Sequence, residues 1–449
     1  MPIQLYDTAH GHKIELRPRE QGKVSVYVCG PTVYGDPHLG HGRFALVFDI
    51  LRRYLRWSGY EVTYVSNVTD IDDKIIKRAS QESTSTHNIV VRYEKAWYDA
   101  LDRLGVERPD SDPHATDYVG HMIELIQRLV KAGVAYTTTT GVYFQPEKME
   151  GYGLLARQSL ESLRAGARVE VDEDKRSPLD FVLWKKAKEG EPSWSSPWGQ
   201  GRPGWHTECV VMALDLLGEG FDIHGGGMDL AFPHHENERA QALADGKVFA
   251  HHWVHNGFVE LQGEKMSKSL GNIWSLTDLL AEHDGRAYRL LVLRAHYRSP
   301  VEITPATIAD AEAALERLDA FARRTAGMDG EPDHQVMASF RAAMDDDLDT
   351  PKVVALLFAQ VKRANAALDD GDDPGPAVGA VREITAAIGL PLRTDTRVLS
   401  GDVAELVRQR DEARTNKDFD AADRIRETLT KMGYVVEDSA AGTQVRRRD

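Results

Sequence analysis

Two short strings constrain this chain more than anything else in it: His38-Leu39-Gly40-His41 near the start and Lys265-Met266-Ser267-Lys268-Ser269 past the middle. The second is highly specific, since a fixed five-residue string arises by chance in roughly one of several thousand chains of this length. The first is weaker alone, and the order and spacing of the two strengthen both. Val24 to Val28 is short, β-branched and followed by Gly30-Pro31, which reads as a strand. Leu46, Val47, Ile50, Leu51, Tyr54 and Leu55 then recur at helical spacing up to Gly59, and Glu61 to Val65 reads as the next strand. Strand, helix, strand is a βαβ unit and implies a parallel sheet. The first string falls at the strand-to-helix crossing, where doubly wound folds hold phosphates near a helix N-terminus. No Gly-x-Gly-x-x-Gly or Walker loop stands at this crossing, so an ordinary dinucleotide or P-loop site lacks its signature there.

At 449 residues the chain is expected to hold two to four domains. Residues from about 118 to 204 read as an insertion. Thr137 to Gly141 is turn-like, Asp172 to Arg176 is a charged stretch, and Pro192 to Gly204 is rich in Pro, Gly, Ser and Trp. Trp194 and Trp198 read as packing residues of that loop. A second α/β half follows, with Cys209 to Leu217 helical, Phe221 to His224 a strand and His234 to Ala244 helical. From about 300 the texture turns helical, with Ala311, Ala314, Leu315, Leu318 and Phe321 on one face. A break near Thr394 to Gly401 introduces a small unit carrying Arg408, Arg410, Arg414, Lys417, Arg424 and Arg426.

The formal net charge is −15, which by itself argues against a polyanionic partner. Nucleic-acid binding must then rest on local basic surface, and the C-terminal unit is the candidate. No apolar run approaches the ~18 residues of a membrane helix, and the N-terminus has no secretory signal pattern. A cytoplasmic location is expected. There are two cysteines, Cys29 and Cys209, which in a reducing compartment are not expected to form a structural disulfide. By count alone they read as two buried thiols.

The surrounding residues carry a resemblance. Cys29-Gly30-Pro31-Thr32-Val33-Tyr34 leads into the first string, Asn67-Val68-Thr69-Asp70-Ile71-Asp72-Asp73-Lys74 follows it, and Pro233-His234-His235-Glu236-Asn237-Glu238 precedes the second. With the two strings, the set resembles the cysteinyl-tRNA synthetases, a family of class I aminoacyl-tRNA synthetases, over nearly the whole chain. The resemblance implies an α/β fold: a class I, Rossmann-like parallel sheet split by a connective insertion, then an α-helical bundle and a small anticodon-binding unit. The expected boundaries are 1–117 and 205–299 for the two catalytic halves, 118–204 for the insertion, 300–396 for the helical domain and 397–449 for the C-terminal unit.

The resemblance also implies chemistry. Cys29, Cys209, His234 and Glu238 match the family's zinc ligands. Two thiolates, an imidazole and a carboxylate suit four-coordinate zinc, and His234 and Glu238 share a face if they lie on one helix. A metal that favours thiolate explains how cysteine is chosen over serine, since a hydrophobic pocket separates such close analogues by only ~1–3 kcal/mol. His38 and His41 would donate to ATP phosphates, and Lys265 and Lys268 would meet the β- and γ-phosphates, with Mg²⁺ accompanying the triphosphate. Gly30, Thr32, Gly40, Asn67 and Thr69 would line the adenylate, with Cys29, Thr69 and Trp205 around the cysteine. His224, Gly225, Gly226, Gly227 and Asp229 would approach ribose and adenine. His255, Asn256, Gly257 and Phe258 would complete the adenine side, and Met266, Ser267 and Ser269 belong to the ATP loop. Leu39 stands where the family commonly has isoleucine, and Thr207 and Val210 vary beside Cys209. The implied partners are ATP, L-cysteine and tRNA(Cys), with no membrane, and a monomer is expected. Two rivals remain at this point: a cysteine ligase of mycothiol synthesis, which shares the adenylate, and an RNA-binding paralogue without catalysis.

Overall fold

Val24, Val26, Tyr27 and Val28 are all buried, so strand β1 (Lys23–Val28) is apolar on both faces, as the centre of a parallel sheet requires. In this computed structural model, which describes residues 2–166, 174–261, 264–265, 274–394, 401–439 and 442–447, β1 is flanked by two parallel neighbours. On one side lies β2 (Glu61–Ser66), with Val24 opposite Val62. On the other lies β3 (Phe221–Gly227), with Val28 opposite Gly225, and β4 (Ala250–Asn256) pairs beyond it. The chain moves outward from β1 to β2 and then returns to the opposite side of β1. A crevice therefore opens between the C-terminal ends of β1 and β3, the switch point where open α/β sheets bind ligands.

Helix α1 (Leu39–Trp57) covers the sheet, and every apolar position read from its periodicity is buried. It ends at Ser58, and Gly59 takes a φ of +98° that favours glycine. Two buried arginines tie it down. The Arg43 guanidinium donates to the carbonyls of Phe258 at 2.5 Å and Tyr297 at 3.1 Å, and Arg289 meets Asp49 at 2.6 Å.

Between β2 and β3 the chain forms an antiparallel meander of Ala135–Thr137, Gly141–Phe144, Phe181–Lys186 and Gly201–Pro203. Trp194 and Trp198 pack on the apolar cluster around Trp184, as read from the sequence. From residue 305 onward come the helices Pro305–Arg324, His334–Asp345, Thr350–Asp370 and Gly375–Ala387. Ala311, Ala314, Leu315, Leu318 and Phe321 are all buried, and they share one core with α1. The Tyr54 hydroxyl of α1 donates to Asp345 at 2.5 Å across that junction.

The C-terminal unit has helices Gly401–Thr415 and Phe419–Lys431 and a hairpin of Tyr434–Ser439 with Gly442–Arg447. Its small core contains Val403, Leu429, Val436 and Val445. The basic run read there as one surface is divided by the fold. Arg410 is buried and donates to the Thr443 hydroxyl at 2.6 Å, while Arg408 is held by Glu405 and Glu412. Lys417, Arg424 and Arg426 are exposed. Among the described residues, no helix is long and apolar enough to cross a membrane.

Candidate active site and metal cluster

Cys29 follows β1 directly, and its backbone N–H donates to the Gly225 carbonyl at 3.2 Å, which pins it at the crevice floor. Helix α3 (Trp205–Leu217) starts four residues earlier than the sequence suggests, so Cys209 sits in its second turn. His234 lies in the helical turn Ala231–His235, which runs straight into helix α4 (Glu236–Ala244), and His235 and Glu236 both have helical backbone. The interruption falls before His234, at Phe232, because Pro233 disfavours helical backbone in the residue before it. The i, i+4 pairing expected on one helix face is therefore present: His234 Nε2 is 2.7 Å from Glu238 Oε1.

These four residues converge. One ligand atom from each of Cys29, Cys209, His234 and Glu238 lies within 4.8 Å of all the others, and all four residues are buried. The two sulfurs are 3.4 Å apart with both cysteines free, and Cys29 Sγ is 3.4 Å from Glu238. Burial pushes the Cys29 thiol well up, with Cys209 and Glu238 adding to it. Burial also acts to raise Cys209, but hydrogen bonds with Cys29 and His234 outweigh it and leave Cys209 the more acidic thiol. Burial opposes ionisation of Glu238, yet the surrounding His234, His224 and His235 hold its carboxyl well below the usual range. Packing two sulfurs, an imidazole and a carboxylate this closely away from water is costly without a shared cation. The donor set fits a thiophilic divalent metal.

A second group shares Cys29 and Glu238 but takes His224 and His235. His224 was expected beside ribose and adenine; its Nε2 instead lies 2.6 Å from Glu238 Oε2, and its Nδ1 is 3.2 Å from the Tyr27 carbonyl. His235 Nδ1 meets His255 Nε2 at 2.9 Å, and His255 Nδ1 meets Thr8 at 2.7 Å. Both ring nitrogens of His255 are thus engaged by the protein, and burial lowers its pKa to about 3. The sequence reading missed His206 and His235. The available signal was density, with seven histidines between 206 and 255.

Trp205 stacks on His234 with ring centroids 3.9 Å apart, which walls the cluster on one side. Opposite it, Asn67 accepts from the Gly30 N–H at 2.9 Å and donates to the Thr69 hydroxyl at 3.3 Å. The Thr69 hydroxyl donates in turn to buried Glu208 at 2.9 Å. An added Cβ at Gly30 would lie 1.6 Å from the Asn67 carbonyl oxygen, so glycine is required there. Thr32 bridges to Thr69 through backbone.

Residues 274–276, beyond the second string, lie against the first. His38 caps α1 with extended backbone, and its N–H donates to His41 Nδ1 at 3.1 Å. The rings stack at 3.7 Å. Burial lowers His41 well below its ordinary pKa, with the charges of His38 and Lys74 adding to it. A neutral His41 whose Nδ1 accepts must carry its proton on Nε2. His38 Nδ1 is buried with no partner among the described residues, and Asp229 is exposed nearby, opposing the burial that lowers His38. Lys265 pairs through backbone with Glu260, and beyond the lysine string Leu276 N–H donates to the Pro37 carbonyl at 2.9 Å. The flank beyond the string is therefore tied to the start of α1. Met266, Ser267, Lys268 and Ser269 lie outside the described residues. An added Cβ at Gly257 would lie 2.5 Å from the Arg298 carbonyl oxygen, and Asn256 Oδ1 is buried with no partner among the described residues.

Residues 15–313 match the family model of the tRNA synthetases class I (C) catalytic domain. Residues 339–390 match the DALR domain and 396–446 the cysteinyl-tRNA ligase anticodon binding domain. The cysteine–tRNA ligase of Halorhodospira halophila is 47% identical over 99% of both chains. The chain belongs to the cysteine–tRNA ligase family. The enzyme of the same name from Haemophilus influenzae is 44% identical over 99% of this chain and all of its own. The fold recurs in more distant solved structures. Methionyl-tRNA synthetase of Mycobacterium tuberculosis bound by methionyl-adenylate has a TM-score of 0.60 at 16% identity, covering 89% of this chain and 96% of its own. LeuRS of Agrobacterium radiobacter in a ternary complex with tRNA and LeuAMS has a TM-score of 0.61 at 12% identity, covering 84% of each chain. These two likenesses concern the fold alone.

Proposed function

We propose that this member of the cysteine–tRNA ligase family activates L-cysteine with ATP and transfers it to the 3′ end of tRNA(Cys). The observation that carries the reading is the convergence of Cys29, Cys209, His234 and Glu238 at one end of a crevice whose other end holds His38 and His41. A cysteine carboxylate oxygen attacks the α-phosphorus, the bond to the bridging oxygen breaks, and its electron pair leaves with pyrophosphate. The carboxylate is a competent nucleophile at neutral pH, so this chain's residues act by positioning and by meeting charge. His41 Nε2–H and His38 donate to phosphate oxygens. Lys265 and Lys268 serve the β- and γ-phosphates, and Mg²⁺ arrives with the triphosphate.

Cys29, Cys209, His234 and Glu238 would hold zinc. When bound, that ion supplies a Lewis acid that favours thiolate over hydroxyl and lowers a thiol's pKa. Trp205 and Thr69 flank the cysteine, Gly30, Thr32, Gly40 and Asn67 line the adenylate, and Gly225 to Gly227, Asp229, His255, Gly257 and Phe258 form its nucleotide side. The C-terminal unit presents Lys417, Arg424 and Arg426 to tRNA, working as a monomer in the cytoplasm. The mycothiol-type ligase reading loses its support, because a sugar acceptor gives no use for the anticodon binding domain matched at 396–446.

ATP–pyrophosphate exchange with cysteine and with serine, followed by charging of tRNA(Cys), tests the proposal. Cysteine-specific exchange with charging is expected. Exchange without charging would move the assignment to a small-molecule acceptor, and no exchange by a zinc-replete preparation would reject activation altogether.

A further inference from the structure

Lys74 belongs to neither signature, yet it stands between the two ends of the crevice. It is the second residue of helix α2 (Asp73–Gln81), capped by Asp72. A cation in the first turn opposes the helix dipole, so the position costs the helix a little stability. The side chain is exposed. Its ammonium lies 5.4 Å from the Tyr34 ring centroid and 5.9 Å from that of Trp205. Such contacts hold a solvent-facing lysine only weakly. Among the described residues, no carboxylate or other acceptor lies within bonding distance of its Nζ. The neighbouring Asp73 is engaged elsewhere, by Lys185 at 2.8 Å and by Arg202.

The placement relates two half-sites. Trp205 stacks on His234 and so marks the amino-acid end. His41 marks the phosphate end, and the charge on Lys74 is felt there. A cation poised between these ends sits where the cysteine carboxylate and the α-phosphate must meet. That junction gains negative charge on its non-bridging oxygens as the new bond forms. The signature lysines serve the β- and γ-phosphates, and His38 and His41 offer neutral or weakly charged donors.

Resting on the proposed adenylation, we infer that Lys74 is a further catalytic cation of this enzyme, moving off the Tyr34 and Trp205 rings to meet the α-phosphoryl oxygens and the attacking carboxylate. Its lack of a carboxylate partner keeps it available, since a fixed ion pair would have to break first. The aromatic rings hold it near the junction without competing for its donors.

Lys74→Ala and Lys74→Arg in the full, zinc-replete chain test the inference. Because the side chain is exposed, zinc content and melting temperature should match the parent. For Lys74→Ala the exchange kcat is expected to fall about 100-fold, the scale of one lost charge-stabilising donor, with little change in KM for cysteine. Lys74→Arg should recover most of the rate. An unchanged exchange kcat in Lys74→Ala overturns the inference. A rise in KM alone overturns it too, since that would mean ground-state binding only. A loss confined to single-turnover transfer from preformed adenylate also overturns it, and would assign the charge to a tRNA phosphate. The parent enzyme's own exchange separates the two claims: a parent inactive with cysteine rejects the proposed function, whereas an active parent with an indifferent Lys74→Ala rejects this inference alone.

Discussion

At the amino-acid end of the crevice, Cys29, Cys209, His234 and Glu238 are buried and already touch one another. At the phosphate end, His38 keeps a buried ring nitrogen with no partner among the described residues and His41 is held neutral, while between the two ends Lys74 rests against ring faces. The difference follows from what each end must bind. A soft cation is selected by donors fixed at the right separation before it arrives, and shielding them from water strengthens each interaction. A triphosphate brings its own charge and leaves as pyrophosphate and adenylate. Donors that are neutral or unpaired can meet that charge without first surrendering a partner.

Cys209→Ser is the most damaging way to break the comparison. It replaces the more acidic thiol with a hydroxyl that binds zinc poorly. Changes to outer partners of a metal site already cost up to ~100-fold, so a ligand change should cost more. Zinc per chain, read by atomic emission, and cysteine-dependent exchange should fall together, while binding of a non-hydrolysable ATP analogue persists. Undiminished cysteine activation in a zinc-free variant would sink the selection role of the cluster.

His38→Asn probes the other end with a smaller effect. Asparagine is a good helix cap, so α1 should be kept while the ring is lost. Exchange should fall by up to ~100-fold, with zinc content unchanged and KM for cysteine little affected. A loss of zinc in this variant would show that the two ends are not independent.

The sequence made some of this visible and hid the rest for physical reasons. β1, α1 and β2 were legible because a buried parallel unit writes its burial into local periodicity. The helical face from Ala311 to Phe321 was legible for the same reason. The four clustered donors came from a matched pattern of residues, since nothing in their spacing brings Cys29 to Cys209 across 180 positions. Three features were out of reach. The start of helix α3 at Trp205, four residues before Cys209, lies at the end of a stretch whose Pro, Gly, Ser and Trp read as irregular. Arg410 looks like surface charge until a hairpin 33 residues later supplies the Thr443 hydroxyl. His224 was drawn toward the nucleotide by its neighbouring glycines, and only the register of β1 against β3 brings it to Glu238.

Those glycines give the finest test. From sequence, Gly225 was expected to let backbone approach the nucleotide. In the fold, an added Cβ there would fall 2.2 Å from Cε1 of Phe48, a fully buried residue of α1. Gly225 also accepts the Cys29 N–H, so its position is set by the sheet. Its lack of a side chain first serves the contact between β3 and α1, and any service to the ligand comes after. Gly225→Ala should therefore destabilise by ~1–3 kcal/mol, the usual cost of overpacking a core, and lower the melting temperature by ~2–4 °C for each kcal/mol. Adding Phe48→Leu opens the space and should recover part of the loss. The ligand-approach role predicts the reverse pattern: an unchanged melting temperature, a raised KM for ATP, and no rescue by Phe48→Leu. Because α1 carries His38 at its start, partial rescue of stability and of exchange by the same second substitution would tie the glycine to the site only through the packing of that helix.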